Sequence, residues 1–133
     1  MPTHATGAFD VKLAPQALSE VAAGPALGRM SVDKQYHGDL EATGKGEMLT
    51  AMSPEIQNSG TYVAVERVEG ALQGRKGSFL LHHLGTMNRG TQQLTISVVP
   101  DSGTGDLKGI TGTLAIKIEN GKHFYDFEYT LPR

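Results

Sequence analysis

The chain is predicted to be all-β, folded as a sandwich or a barrel, and three observations predict it. No helical periodicity persists for ten residues; about eight short runs alternate apolar with polar side chains between polar turns; and Asn120-Gly121, the favoured pair of a type I′ hairpin, joins two of those runs. At 133 residues the length corresponds to one domain, residues 1–133, large enough for a single core.

The elements follow in order. From Gly7 to Leu13, Phe9, Val11 and Leu13 share one face and Asp10 and Lys12 the other, which predicts a half-buried strand. Pro15 to Leu27, rich in Ala, Gly and Pro, reads as a loop with room for a short turn of helix. Leu27 to Leu49 reads as two strands joined at a bend, or one long bent strand. Met30, Val32, Tyr36 and Leu40 share a face that Lys34 interrupts, and Gly38, Gly44 and Gly46 suggest bends or bulges. Ala51 to Gly60 is a polar loop. Thr61 to Val68 is apolar on both faces except for Glu66 and Arg67. A short strand and turn over Gly70 to Gly77 lead into a strand from Ser78 to Asn88, with Phe79, Leu81 and His83 opposite Leu80, His82 and Leu84. In Gln92 to Val99 the inward residues are Leu94, Ile96 and Val98.

Gly103, Gly105, Gly109 and Gly112 then mark a tight, irregular connection. They do not make a phosphate cradle, because the third glycine of a dinucleotide fingerprint would fall at Lys108 and no amphipathic helix follows. Pairing across Asn120-Gly121 sets Ile118 opposite His123, Ile116 opposite Tyr125 and Leu114 opposite Phe127. A one-residue slip would expose that apolar face, so the register is well specified.

The glycine-punctuated run Gly103-Thr104-Gly105-x-Leu107-x-Gly109-x-x-Gly112-x-Leu114, followed by a hairpin carrying Phe124, Tyr125, Phe127 and Tyr129, resembles the last third of allene oxide cyclase-type barrels, a barrel shared by dirigent proteins. Over nearly its whole length the chain more closely resembles a family of small bacterial proteins of unknown function assigned to the same barrel. The segments that carry this are Ala5-Thr6-Gly7-x-Phe9, Asp33 to Thr43, Gly46-Glu47-Met48-Leu49, Tyr62-Val63-Ala64-x-Glu66-Arg67-Val68 and Gly85-Thr86-Met87. The resemblance implies a closed antiparallel barrel of about eight strands, allene oxide cyclase-like, which also removes exposed sheet edges. No catalytic residue of the plant cyclase is carried over.

Composition narrows the function. A net charge of −2 gives no electrostatic case for nucleic acid or an anionic membrane. The absence of cysteine excludes disulfides and thiolate chemistry. Met1 to Gly7 has neither the basic region nor the apolar run of a signal peptide, and no stretch approaches a membrane span, so a cytoplasmic location is expected. No cofactor motif and no metal-ligand spacing occur. His82 and His83, adjacent on a strand, face opposite ways and cannot share an ion.

Two constellations carry candidate chemistry. Glu66 and Arg67 lie in the most apolar strand, and one of the two must point into the barrel. Alternation with Tyr62 and Val68 favours Glu66, which inside needs a partner or a raised pKa. Its functional reading is a general acid/base or a polar anchor in a cavity; its structural reading is an Arg–Glu or Glu–His pair that closes the barrel. The second constellation is Asp101-Ser102-Gly103 after Val98-Val99. Aspartic peptidases use an apolar-apolar-Asp-Thr/Ser-Gly run, in which the hydroxyl orients a carboxylate that shares a proton with a second one. Only one such triplet occurs and Pro100 interrupts the pattern, so the structural alternative is ordinary turn chemistry.

The leading expectation is a barrel that binds a small apolar or amphipathic molecule, with Tyr36, Glu66, Arg67, His82 and His83 as candidate ligand-binding residues and Met30, Met48, Met52 and Met87 as a soft lining. The enzymatic alternative is an aspartic peptidase-like, self-cleaving protein using Asp101 with a second carboxylate such as Glu66. The third reading is a homo-oligomeric scaffold without catalysis.

Overall fold

The computed structural model describes residues 2–132. Its strands are β1 (Thr3–Gln16), β2 (Leu27–Gly38), β3 (Leu40–Met52), β4 (Gly60–Leu72), β5 (Arg75–Asn88), β6 (Thr91–Val98), β7 (Thr111–Glu119) and β8 (Lys122–Thr130). Each pairs antiparallel with the next, and β8 returns to β1, so the sheet closes into an eight-stranded barrel as expected. No described helix is long and apolar enough to cross a membrane.

The strands are longer than the alternating runs suggest, because backbone pairing continues past the apolar positions. β1 reaches Gln16 through Pro15, which stands opposite Met30, and only the stretch after Gln16 is turn and bend. Leu27 to Leu49 is indeed two strands, separated at Gly38-Asp39, where Gly38 takes a φ of 103°. Tyr125 holds this corner: its hydroxyl donates to the His37 carbonyl at 2.8 Å and accepts from the Leu40 N–H at 2.8 Å. Three two-residue hairpins, Gln73-Gly74, Arg89-Gly90 and Asn120-Gly121, all have both residues at positive φ, as type I′ turns require. The last hairpin has the expected register, including Ile118 opposite His123 and Leu114 opposite Phe127.

Period-two alternation sorts the side chains between core and surface. Phe79, Leu81 and His83 point inward from β5, whereas Leu80, His82 and Leu84 point outward. Asp33, Gln35, His37, Asp39 and Glu41 form a solvated row. One half of the barrel is packed solid. Leu40, Leu72, Phe79, Leu81 and Phe127 are fully buried there, and the Phe79 and Phe127 rings stack 5.4 Å apart. Each such side chain contributes roughly 1.5–3 kcal/mol of transfer free energy.

The glycine-rich connection closes this half. After Val98 the chain leaves β6 but continues to pair with β5: the Val99 N–H donates to the Leu80 carbonyl at 2.8 Å and the Thr104 N–H to the Ser78 carbonyl at 2.8 Å. A single 3-10 turn over Gly105–Leu107 then drops Leu107 and Ile110 into the core. Gly103 is required by close approach, since a Cβ there would stand 2.0 Å from the Leu107 carbonyl oxygen. The β6–β7 seam beside it is short, with Ser97 opposite Thr113 as its paired position.

The other half stays open. Leu13, Met52, Leu94 and Ile118 occupy inward-facing positions at its rim yet are nearly half exposed or more. Below the rim the barrel narrows onto a cavity.

Candidate functional site

A cavity of about 210 Å³ occupies the open half. Its walls are mostly apolar, among them Phe9, Val32, Met48, Leu94 and Ile116, and its polar floor is formed by Lys34, Glu66 and His83. A second apolar space of about 290 Å³ lies beside it at the rim, shares Tyr62 and Leu94, and adds Met52 and Met87.

Glu66 is the centre of the floor. β4 aims it inward, and it is 2% exposed. Its Oε1 receives Lys34 Nζ at 3.1 Å and His83 Nε2 at 2.9 Å, and its Oε2 accepts the Tyr36 hydroxyl in a short hydrogen bond. Lys34 and Tyr36 share the inward face of β2, and His83 comes from β5, where it is a diagonal neighbour of Glu66. The Lys34 ammonium also stands 5.1 Å from the centroid of the Phe9 ring. No buried side-chain nitrogen or oxygen among the described residues is left without a hydrogen bond.

A glycine makes this arrangement possible. Gly44 on β3 pairs with Lys34 on one side and Val68 on the other, and faces inward between β2 and β4. A Cβ at this position would stand 2.1 Å from Glu66 Oε2 and 3.0 Å from Tyr36 Cε2. The carboxylate occupies the volume that any other side chain would fill.

The electrostatics follow from these contacts. Burial pushes the Glu66 carboxyl up. The His83 hydrogen bond, the Lys34 charge and the Tyr36 hydroxyl together outweigh that and hold it below its ordinary range. Glu66 is therefore an anion neutralised by a buried cation, which satisfies the need for a partner seen in the sequence. Tyr36 is driven well above the ordinary tyrosine value, first by burial and then by the adjacent Glu66 charge, so it serves as a donor. Tyr62, whose ring centroid is 6.5 Å from that of His83, is raised by the same two causes.

The structure thus brings together Tyr36, Glu66 and His83. Arg67 and His82 do not join them. Neighbours on a strand face opposite ways, so with Glu66 and His83 inside, Arg67 and His82 lie on the exposed outer surface, and neither lines the cavity. Asp101 is elsewhere again. It occupies an exposed turn after β6 with a φ of 60°, and none of the partners of Glu66 is Asp101. The Ser102 hydroxyl, which a peptidase triplet would turn toward its carboxylate, instead accepts the Leu80 N–H at 3.0 Å. Lys34 is the member of the cavity floor that its place in the sequence shows only as an interruption of an apolar face. Its signal was a cation at an inward position of β2, with an anion at an inward position of β4. No group of three or more His, Asp or Glu side chains among the described residues is placed to hold a metal ion.

Comparison with known proteins agrees with this architecture. The crystal structure of a protein of unknown function from the DUF3224 family of Shewanella oneidensis MR-1 is 48% identical, and the match covers 100% of this chain and 99% of that one with a TM-score of 0.93. No curated protein matches the chain. The model of the family described as protein of unknown function (DUF3224) matches residues 5–129. With nearly the whole barrel matched, the chain belongs to the DUF3224 family.

Proposed function

We propose that the barrel binds one small apolar or amphipathic molecule through its open half. The observation that carries this reading is the pairing of an apolar-walled cavity of about 210 Å³ with a buried, charged floor. Core residues alone would fill such a space, and a buried ion pair is poor stability engineering compared with apolar packing of the same volume. Polar groups converging at the base of an apolar cavity are what orients a ligand. Eight strands enclose room for about one small molecule. The ligand's alkyl or ring portion lies against Phe9, Met48 and Leu94, and its polar end meets Lys34 and His83. An oxygen function suits that end, since Lys34 donates, whereas a second cation is repelled.

Calorimetric titration with 2-octanone and with octylamine, matched in chain length, tests the reading. The ketone is expected to bind and the amine to bind at least about tenfold more weakly. Ala64→Phe, which fills the cavity from β4, is expected to abolish ketone binding. Equal weak binding of both, unchanged by Ala64→Phe, would sink the proposal.

A further inference from the structure

His83 has two ring nitrogens with different surroundings. Nε2 lies 2.9 Å from Glu66 Oε1 and carries the hydrogen, because it faces a carboxylate oxygen that accepts. In the neutral ring Nδ1 then carries the lone pair. It makes no hydrogen bond, yet no buried side-chain nitrogen or oxygen among the described residues lacks a partner, so Nδ1 is the atom that opens onto the cavity His83 lines. Glu66 itself is not free to accept a proton from a ligand: Oε1 is occupied by Lys34 and His83, and Oε2 by Tyr36. Lys34 lines the same cavity, which places a cation beside an oriented imidazole in apolar surroundings.

We propose that this site catalyses proton transfer at carbon: His83 Nδ1 removes a proton from a C–H adjacent to the carbonyl of a small apolar ketone, and Lys34 stabilises the resulting enolate oxygen. The proposal rests on the binding reading above and goes beyond it to a reaction. The C–H bond breaks and its electron pair becomes a C=C bond. The carbonyl π pair moves to oxygen, where the Lys34 N–H donates to it. The N–H bond formed at Nδ1 makes His83 an imidazolium, and the Glu66 carboxylate on its far side compensates that charge. In a β,γ-unsaturated ketone the enolate is a dienolate, and return of the same proton to its γ carbon re-forms the carbonyl, leaves the C=C bond conjugated with it and completes an isomerisation, with no oxidant, reductant or co-reactant. His83 is the catalytic base and Glu66 a positioning residue that selects its tautomer.

The test uses cyclohex-3-en-1-one, whose conversion to cyclohex-2-en-1-one is followed by the ultraviolet absorbance of the conjugated product, with binding of the ketone measured separately by ligand-observed NMR. The wild-type protein is expected to bind and isomerise it. His83→Gln keeps a donor for Glu66 but removes the imidazole beside Lys34, so it is expected to lose at least about 100-fold in kcat. Binding without turnover above the His83→Gln level overturns the catalytic inference and leaves the binding reading standing; neither binding nor turnover overturns both. Should the variant not fold, ¹⁵N NMR of the wild-type His83 ring decides. Hydrogen on Nε2 and a bare Nδ1 are expected, with Glu66→Gln scrambling that preference. Hydrogen resident on Nδ1 overturns the proposal.

Discussion

Replacing Glu66 by Gln keeps the shape of the side chain and removes its charge, which leaves the Lys34 ammonium, 6% exposed, without a counter-ion. Removing one partner of a buried pair costs about 3–5 kcal/mol, because the remaining charge stays desolvated. For a domain that unfolds with a urea dependence of about 2 kcal/mol per molar, a loss of about 4 kcal/mol lowers the midpoint by about 2 M with an unchanged slope. Lys34→Met removes the cation instead, and leaves Glu66 with its His83 and Tyr36 hydrogen bonds. Combining the two substitutions deletes both charges, so the double variant should be more stable than the summed single effects predict, with a coupling of about 1–3 kcal/mol. Urea titrations followed by circular dichroism measure all four corners of this cycle. A Glu66→Gln loss under about 1 kcal/mol, or additive effects, would show that the two charges do not depend on one another, and the electrostatic account of the cavity floor would fail.

Four other substitutions or conditions have defined outcomes. Gly44→Ala drives a methyl to within 2.1 Å of Glu66 Oε2, so it should cost about 1–3 kcal/mol by overpacking and show a lowered melting temperature; a neutral result would mean the carboxylate has another place to go. Glu66 has a depressed pKa, so its contribution to stability is present above the ordinary value of 4.5 and is lost only as pH falls through the lower native one. All four tyrosines have raised pKa values, led by Tyr36, so above pH 10 the unfolded chain ionises before the native one and stability should decline; midpoints flat across that alkaline range would contradict this. Asp101→Asn keeps a residue that tolerates a φ of 60° on an exposed turn and should change stability by no more than about 0.5 kcal/mol. Intact-mass analysis of both forms over days should show the same single species, whereas fragments from the wild type alone would return Asp101 to a catalytic role.

The parts of the fold legible in the sequence are those set by local rules. Alternation located most strands, and Asn120-Gly121 fixed the register of β7 on β8 because the turn type and the apolar face agree. Gln73-Gly74 and Arg89-Gly90 make the same kind of turn, but Gln and Arg are poor advertisements for positive φ, so the cue was only the glycine. Closure of the sheet depends on β1 meeting β8, a contact across more than a hundred residues that no local pattern encodes; the family resemblance supplied it. At the site, alternation favoured Glu66 over Arg67 and put Tyr36 on the apolar face of β2, but it left His82 and His83 both as candidates. Parity also excludes Arg67 and His82 once a single residue of each strand is placed, but which face of β4 and β5 is inside is a property of the closed barrel. Lys34 was visible only as an exception, since its meaning lies in Glu66, on a strand two places away with Gly44 between them. Asp101 illustrates the converse: a three-residue motif specifies a turn as readily as a catalytic loop, and the Ser102 hydroxyl bonded to the Leu80 N–H belongs to the turn.

The central claim, a ligand held in the open half with its polar end at the charged floor, is tested most directly by a residue-by-residue NMR titration of the uniformly labelled protein with 2-octanone. The account predicts saturable shifts concentrated at Lys34, Ala64, His83, Leu94 and Ile116, with the packed half at Leu72, Phe79 and Leu107 unmoved. Shifts confined to outward residues such as Val63, Leu80 and Leu84, or no saturable shift at all, would contradict it.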